Sequence, residues 1–313
     1  YAYGKANPTA AYLSLLNRLA ASEPGLVKKE AEKFLSEATK LERQDLKVAA
    51  AGLLLSLPST DKMGLLKKAL KDGNIVYLTQ VLNSYPYQDD EKAVKLILKT
   101  LSPKASSDVQ IAILYWIGNQ KVTSAVSRIS DYLNTSNKAV QKAAVYALSE
   151  TGGESALISL VGMLKSTDEN AVKLAKEALE GYAGNISAAL ALVFNNCSSQ
   201  GKIAILQLMA NRRMHDQYRL VYNQLFADDE PVKVEAAKTL RYVVAEENLP
   251  ELFGLLEQTD DKYLSSIQQA VNAALSMLSS EEQMKQVMER MNASSKRYAY
   301  YAVLANSGTP QAL

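Results

Sequence analysis

The stretch Val140-Gln141-Lys142-Ala143-Ala144-Val145-Tyr146-Ala147-Leu148 decides the fold. Its residues Val140, Ala143, Ala144, Ala147 and Leu148 fall at i, i+3, i+4, i+7 and i+8, which is one stripe along an α-helix. The same spacing stands upstream in Val109, Ala112, Ile113, Trp116 and Ile117. Downstream it returns in Ala171, Leu174, Ala175, Ala178 and Leu179, and again in Ile267, Ala270, Val271, Ala274 and Leu275. Val232, Ala236, Thr239 and Leu240 keep it with Glu235 as a polar interruption. The closing residues Leu82, Ile117, Leu148, Leu179, Leu208, Leu240 and Leu275 recur about every 30 residues, the mark of stacked helix pairs.

Alanine at two or three core positions per helix lets neighbouring helices approach closely and stack layer on layer. The helix before each Ala-rich one carries larger side chains, as in Leu157-Ile158-Leu160-Val161-Leu164 and Leu252-Phe253-Leu255-Leu256. That asymmetry predicts outer and inner helices and a curved stack with a concave face. The breaks between apolar stretches carry helix punctuation. Asp89-Asp90, Ser106-Ser107-Asp108, Ser166-Thr167-Asp168 and Asp228-Asp229 offer oxygens for N-caps, and Ser280 with Gln283 reads as a capping box. Gly118, Gly152-Gly153 and Gly184 sit where helices should end at positive φ, and Pro231 and Pro250 fall in expected first turns. No run alternates as a strand would, and Asp72-Gly73 lies between helical patterns. The reading is all-α.

Val140-x-x-Ala143-Ala144-x-x-Ala147-Leu148, followed by Thr151-Gly152-Gly153 and an apolar helix from Ser155, resembles HEAT repeats of the bacterial HEAT-like type. The resemblance covers nearly the whole chain and is best from about 105 to 260. It implies an α-solenoid, a right-handed superhelix of antiparallel helix pairs of the HEAT/armadillo kind. Lys142 and Lys173 stand roughly where the family's second helix usually carries Arg. The expected organisation is one continuous solenoid, with irregular repeats over 1–104 and regular pairs over 105–313. In the first part, Val27-Lys28-x-Glu30-Ala31-x-Lys33-x-Leu35 repeats the wording of Val232-Lys233-x-Glu235-Ala236-x-Lys238-x-Leu240. A helix near 43–57 then suggests a three-helix layer.

Composition excludes several kinds of chemistry. The 313 residues are 48% hydrophobic, which fits a folded chain rather than a disordered one. One cysteine, Cys197, allows no internal disulfide and no Cys-rich zinc site, and one histidine, His215, allows no His cluster. No apolar run approaches the roughly 18 residues of a membrane span. Gly-x-Gly-x-x-Gly and Walker loops are missing from the sequence. His215 reads as an exposed junction histidine and Cys197 as a structural thiol, because neither has a nucleophile, base or local signature beside it. Acidic pairs such as Asp228-Asp229, Glu246-Glu247, Asp260-Asp261 and Glu281-Glu282 stand before helices, where they serve the N-terminal dipole. The expectation is therefore no enzyme, no catalytic residue, no metal and no cofactor.

The basic clusters Lys28-Lys29, Lys67-Lys68-Lys71, Arg212-Arg213 and Lys296-Arg297 are dispersed, the net charge is +2, and the pI is about 8.4. A nucleic-acid groove is more basic than this, so none is expected; the clusters read as solvated helix faces, and the net charge predicts no strong pull toward anionic lipid either. The aromatics are the compositional oddity, with 17 Tyr against 4 Phe and one Trp. Trp116 falls on the core stripe. Tyr115 and Tyr146 share a repeat position about 130° from the stripe's centre, on the flank of the inner helix. They are the leading candidates for a partner contact, with Tyr182, Tyr298 and Tyr301 as further members.

The expected function is a non-catalytic scaffold presenting its concave face to another protein or to a neighbouring domain of the same chain. The alternatives that the resemblance implies are an accessory domain fused to a sugar-processing or other catalytic domain, a HEAT-like DNA glycosylase, and a HEAT-like chromophore lyase. Tyr1–Pro8 reads as the tail of an inner helix, and Gln311-Ala312-Leu313 as the first turn of a new outer one. Solenoids close with polar caps, so these ends predict a segment of a longer protein. Compartment and oligomeric state stay open at this point.

Overall fold

The computed structural model describes residues 10–87 and 90–307. Among the described residues there are nineteen α-helices and no strand. Two compact units divide after Thr151, so the division expected after residue 104 does not coincide with theirs.

The first unit contains α1 (Ala10–Leu19), α2 (Pro24–Lys40), α3 (Gln44–Ser56), α4 (Lys62–Asp72) and α5 (Ile75–Ser84). It continues with α6 (Glu91–Thr100), α7 (Ser107–Gln120), α8 (Val126–Ser130) and α9 (Lys138–Thr151). The inner helices pack in series, α3 on α5, α5 on α7 and α7 on α9. Outer α2, α4 and α8 each pack on the inner helix that follows, and α4 also lies beside α6. Helix α1 touches both α2 and α3, so the first three helices meet mutually. Helix α3 fills the place expected near 43–57, and its stacking on α5 makes it a regular member of the inner series.

The second unit contains α10 (Glu154–Met163), α11 (Glu169–Glu180), α12 (Ser187–Phe194), α13 (Ser199–Asn211) and α14 (Tyr218–Asn223). Beyond these come α15 (Glu230–Val243), α16 (Leu249–Gln258), α17 (Asp261–Leu275), α18 (Ser280–Ala293) and α19 (Tyr298–Ala305). Here α11, α13, α15, α17 and α19 form the inner series, each backed by the even-numbered helix before it. Each unit is thus an all-α stack of helix pairs, the solenoid arrangement that the stripes require.

The stripes are the core. Leu82, Ile117, Leu148, Leu179, Leu208, Leu240 and Leu275 are all buried. Trp116 is buried too, with its ring centroid 4.6 Å from that of Tyr87, and its indole Nε1 meets no acceptor among the described residues. Helix starts use the anticipated oxygens. Asp90 Oδ1 accepts from the Ala93 amide at 2.9 Å, Ser106 Oγ from Val109 at 3.4 Å, Asp168 Oδ1 from Asn170 at 3.0 Å and Asp229 Oδ1 from Val232 at 3.3 Å. Pro231 and Pro250 lie in first turns.

Two local expectations need correction. The cap of α18 is Ser279, whose Oγ accepts from the Glu282 amide at 3.3 Å. Ser280 is already helical, and Gln283 donates Nε2 to the Leu278 carbonyl, so the capping box is not formed as expected. Gly118 does not end its helix at positive φ; Lys121 takes that place with φ 51°. Gly152 and Gly153 do adopt positive φ, 69° and 83°. Tyr1–Pro8, Asp89 and Gln311–Leu313, for which the sequence carries expectations, lie outside the described residues.

Neighbouring layers are also joined by polar links. Arg212, just beyond α13, donates to the carbonyls of Leu179 at 3.0 Å, Tyr182 at 2.8 Å and Gly184 at 2.6 Å. Thr239 on α15 donates its hydroxyl to the Leu206 carbonyl at 3.3 Å. These four bonds satisfy polar groups that helical geometry leaves open or that burial would otherwise strand.

Candidate protein-interaction surface

Tyr115 and Tyr146 stand two residues before the core anchors Ile117 and Leu148 on α7 and α9. That register turns both off the core stripe, and the packing of α7 on α9 brings them together. Their ring centroids are 5.0 Å apart with the planes tilted by 50°. Tyr115 is 39% exposed, and Tyr146 is half-buried. Tyr146 donates its hydroxyl to Asn119 Oδ1 at 2.6 Å, which fixes the ring against α7. Burial, assisted by Glu150 and Tyr115, pushes the Tyr146 phenol above its ordinary pKa, so the hydroxyl stays a neutral donor at pH 7.

The outward face of the inner helices around this pair carries few charges. It presents Val76, Thr79 and Asn83 on α5, Ile111 and Asn119 on α7, and Ala139 and Ser149 on α9. Val76 is 58% exposed. Asp108, Lys142 and Glu150 supply the charge there. Further along the same series, α1, α3 and α5 enclose an open cleft of about 540 Å³. Ser14, Asn17, Ala49, Gly52, Ser56 and Gln80 are among its walls. Sequence reasoning did not single this cleft out. Its signal was present in the small residues Ala49 and Gly52 on the outward side of α3.

The other candidate tyrosines are placed differently. Tyr182 is only 6% exposed and donates its hydroxyl to the Gly153 carbonyl at 2.7 Å. It offers no ring face to a partner, which corrects its inclusion. Tyr298 and Tyr301 are exposed on α19, in the second unit. Tyr298 donates to Asp261 Oδ1 at 3.0 Å. Between them Tyr300 points inward and stacks on Phe253 with centroids 6.1 Å apart.

His215 is exposed, with Nδ1 2.9 Å from the Val244 carbonyl oxygen. Cys197 is buried and its thiol donates to the Val193 carbonyl at 3.4 Å. Burial raises the thiol pKa, partly offset by Lys165 and Lys202. Of the acidic pairs, Asp229 caps α15, while Glu230 accepts from Lys262 and Tyr263. No group of three or more His, Cys, Asp or Glu able to hold a metal occurs among the described residues, and none of their helices is long and apolar enough to cross a membrane.

Residues 92–180 match the family model for HEAT repeats. The HEAT match runs from α6 to α11 and so contains both Tyr115 and Tyr146. It begins earlier and ends earlier than the 105–260 stretch in which the resemblance was strongest. HEAT repeats are typically non-catalytic. Among solved structures, the chain is similar to an engineered protein at 17% identity and a TM-score of 0.40, covering 96% of this chain and 90% of that one. At that score the likeness adds nothing to the fold assignment. No curated protein matches the chain.

Proposed function

We propose that this HEAT-repeat chain is a non-catalytic scaffold whose inner-helix face binds a protein segment, centred on Tyr115 and Tyr146. The observation that carries the reading is the ring pair itself, 5.0 Å apart on adjacent inner helices and open to solvent at Tyr115. Tyrosine loses little conformational freedom on binding and offers an apolar ring with a polar tip, so such pairs concentrate contact energy. Asn119, which accepts the Tyr146 hydroxyl, and exposed Asn83 on α5 carry amides that suit a peptide backbone. A neighbouring domain of the same protein would count as such a segment.

The test places a photo-reactive residue at Ile111 in the chain as expressed in its own cells. One discrete cross-linked product is expected, and Tyr115→Ala with Tyr146→Ala should abolish it while the helical circular dichroism is kept. Cross-linking that survives the double substitution in a folded protein overturns the reading.

A further inference from the structure

The net charge of +2 conceals an uneven distribution. Residues 1–151 carry 20 Lys+Arg and 14 Asp+Glu, leaving +6; residues 152–313 carry the other 15 and 19, leaving −4. In the first unit several of these lysines lie on α4 and α6. Lys67, Lys68 and Lys71 on α4 are exposed, as are Lys92, Lys95 and Lys99 on α6. Leu65, Leu66 and Ala69 form the buried face of α4, and Ala93 and Ile97 that of α6. At about 100° per residue, the lysines of α4 span an arc of about 100° and those of α6 about 60°, each turned away from its buried face. Helix α4 lies beside α6, and each carries three exposed lysines on the side opposite its own buried face.

The described acids nearby each have a partner, and Asp90 also feels the Lys92 charge. Asp61 caps α4 through the Gly64 amide, and Asp72 receives the Lys47 ammonium at 2.5 Å. Asp90 caps α6 and accepts the Tyr85 hydroxyl at 2.6 Å, and Glu91 pairs with Lys95 alone at 3.2 Å. Lys67, Lys68, Lys71, Lys92 and Lys99 make no ion pair among the described residues.

We propose that this lysine face docks the protein on an anionic lipid surface. Clusters of four to eight basic residues are drawn to the negative potential of acidic leaflets. The cations are spread over two helices in two dimensions, as lipid headgroups are, instead of following a line or groove that a nucleic-acid strand could track. The two helices have neither Arg nor an aromatic residue, so the face lacks the bidentate fork and the stacking platform that nucleic-acid sites use. No large apolar side chain is exposed on α4 or α6. The contact is therefore electrostatic, reversible and weakened by salt.

Co-sedimentation of the 313-residue chain with phosphatidylcholine vesicles, with and without about one third phosphatidylserine, tests this. Binding is expected only to the anionic vesicles and should be lost at about 0.5 M salt. The variant K67Q/K71Q/K92Q/K99Q should bind at least about tenfold less. A control, K165Q/K173Q/K238Q/K285Q, removes equal charge from exposed positions of the second unit and should bind like the parent. Circular dichroism confirms that each variant is folded. Three results overturn the proposal: no binding to anionic vesicles, equal losses in the two variants, or tighter lysine-dependent binding to duplex DNA than to vesicles.

Discussion

Gly118 lies beneath the ring of Tyr146 in the contact between α7 and α9. A methyl carbon added there would stand 2.9 Å from Tyr146 Cε1 and 3.1 Å from Ala147 Cα. Glycine inside a helix costs about 1 kcal/mol relative to alanine. Here that cost is set against a closer approach of two inner helices and a seat for the aromatic ring. The second neighbour is backbone and cannot swing aside. Gly118→Ala should therefore lower stability by about 1–3 kcal/mol, despite its better helix propensity. Urea unfolding reads this directly, and an unchanged or raised midpoint would show that α9 yields.

Leu148 is fully buried at the end of its stripe. Leu148→Ala should cost about 2–5 kcal/mol through lost transfer energy and the cavity left behind. A stacked array need not unfold in one step, so Trp116 fluorescence and helical circular dichroism should be followed together. A loss below about 0.5 kcal/mol by both probes would contradict the stripe assignment.

A pH dependence follows from Asp216. Ser187 donates its hydroxyl to this carboxylate, Gln217 Nε2 adds a bond at 3.1 Å, and the carboxyl pKa falls below its ordinary 3.8. A carboxyl depressed in the folded state adds stability above its unfolded pKa. That stability disappears as pH falls through the lower, folded value. Ser187→Ala should thus lower the unfolding midpoint at pH 7, and its deficit should shrink once the pH drops below 3.8. A deficit of constant size across that range would assign the loss to packing alone.

Cys197 should react slowly. Burial raises its thiol pKa and shields the sulfur, so little thiolate is available to attack an alkylating reagent. Iodoacetamide labelling followed by mass spectrometry should be slow in the native protein and fast in denaturant. Equal rates would place the thiol at the surface.

The periodic part of the fold was legible because each stripe of small and branched side chains has only one way to escape water. Helix α11 shows where that legibility ends. Its sequence supports a stripe through Ala171, Leu174, Ala175, Ala178 and Leu179, and also one through Val172, Ala175 and Leu179. The structure buries Ala171, Val172, Ala175 and Leu179 and leaves Leu174 and Ala178 half-buried. Both patterns are helical, so spacing alone could not choose. The shared position of Tyr115 and Tyr146 could be read from the repeat, but their contact depends on Gly118, which looked like a helix terminator. Tyr182 follows Gly181, beyond the helix, where register carries no information about direction. The cleft on α1, α3 and α5 is built by separate layers, and no local window of sequence contains it.

Arg212 has a consequence for how such a chain can change length. Its guanidinium serves the end of the preceding inner helix and the turn after it, and Thr239 likewise reaches back one layer. The unit of inheritance is therefore offset from the unit of shape: each layer keeps part of its bonding in its neighbour. Excising one layer strands a cation on one side of the join and bare carbonyls on the other. Duplicating one creates a junction where donor and acceptor were never matched. Growth or shrinkage at such a point requires a second substitution at the seam, so a lineage of these arrays should vary in layer number most readily where no side chain reaches across.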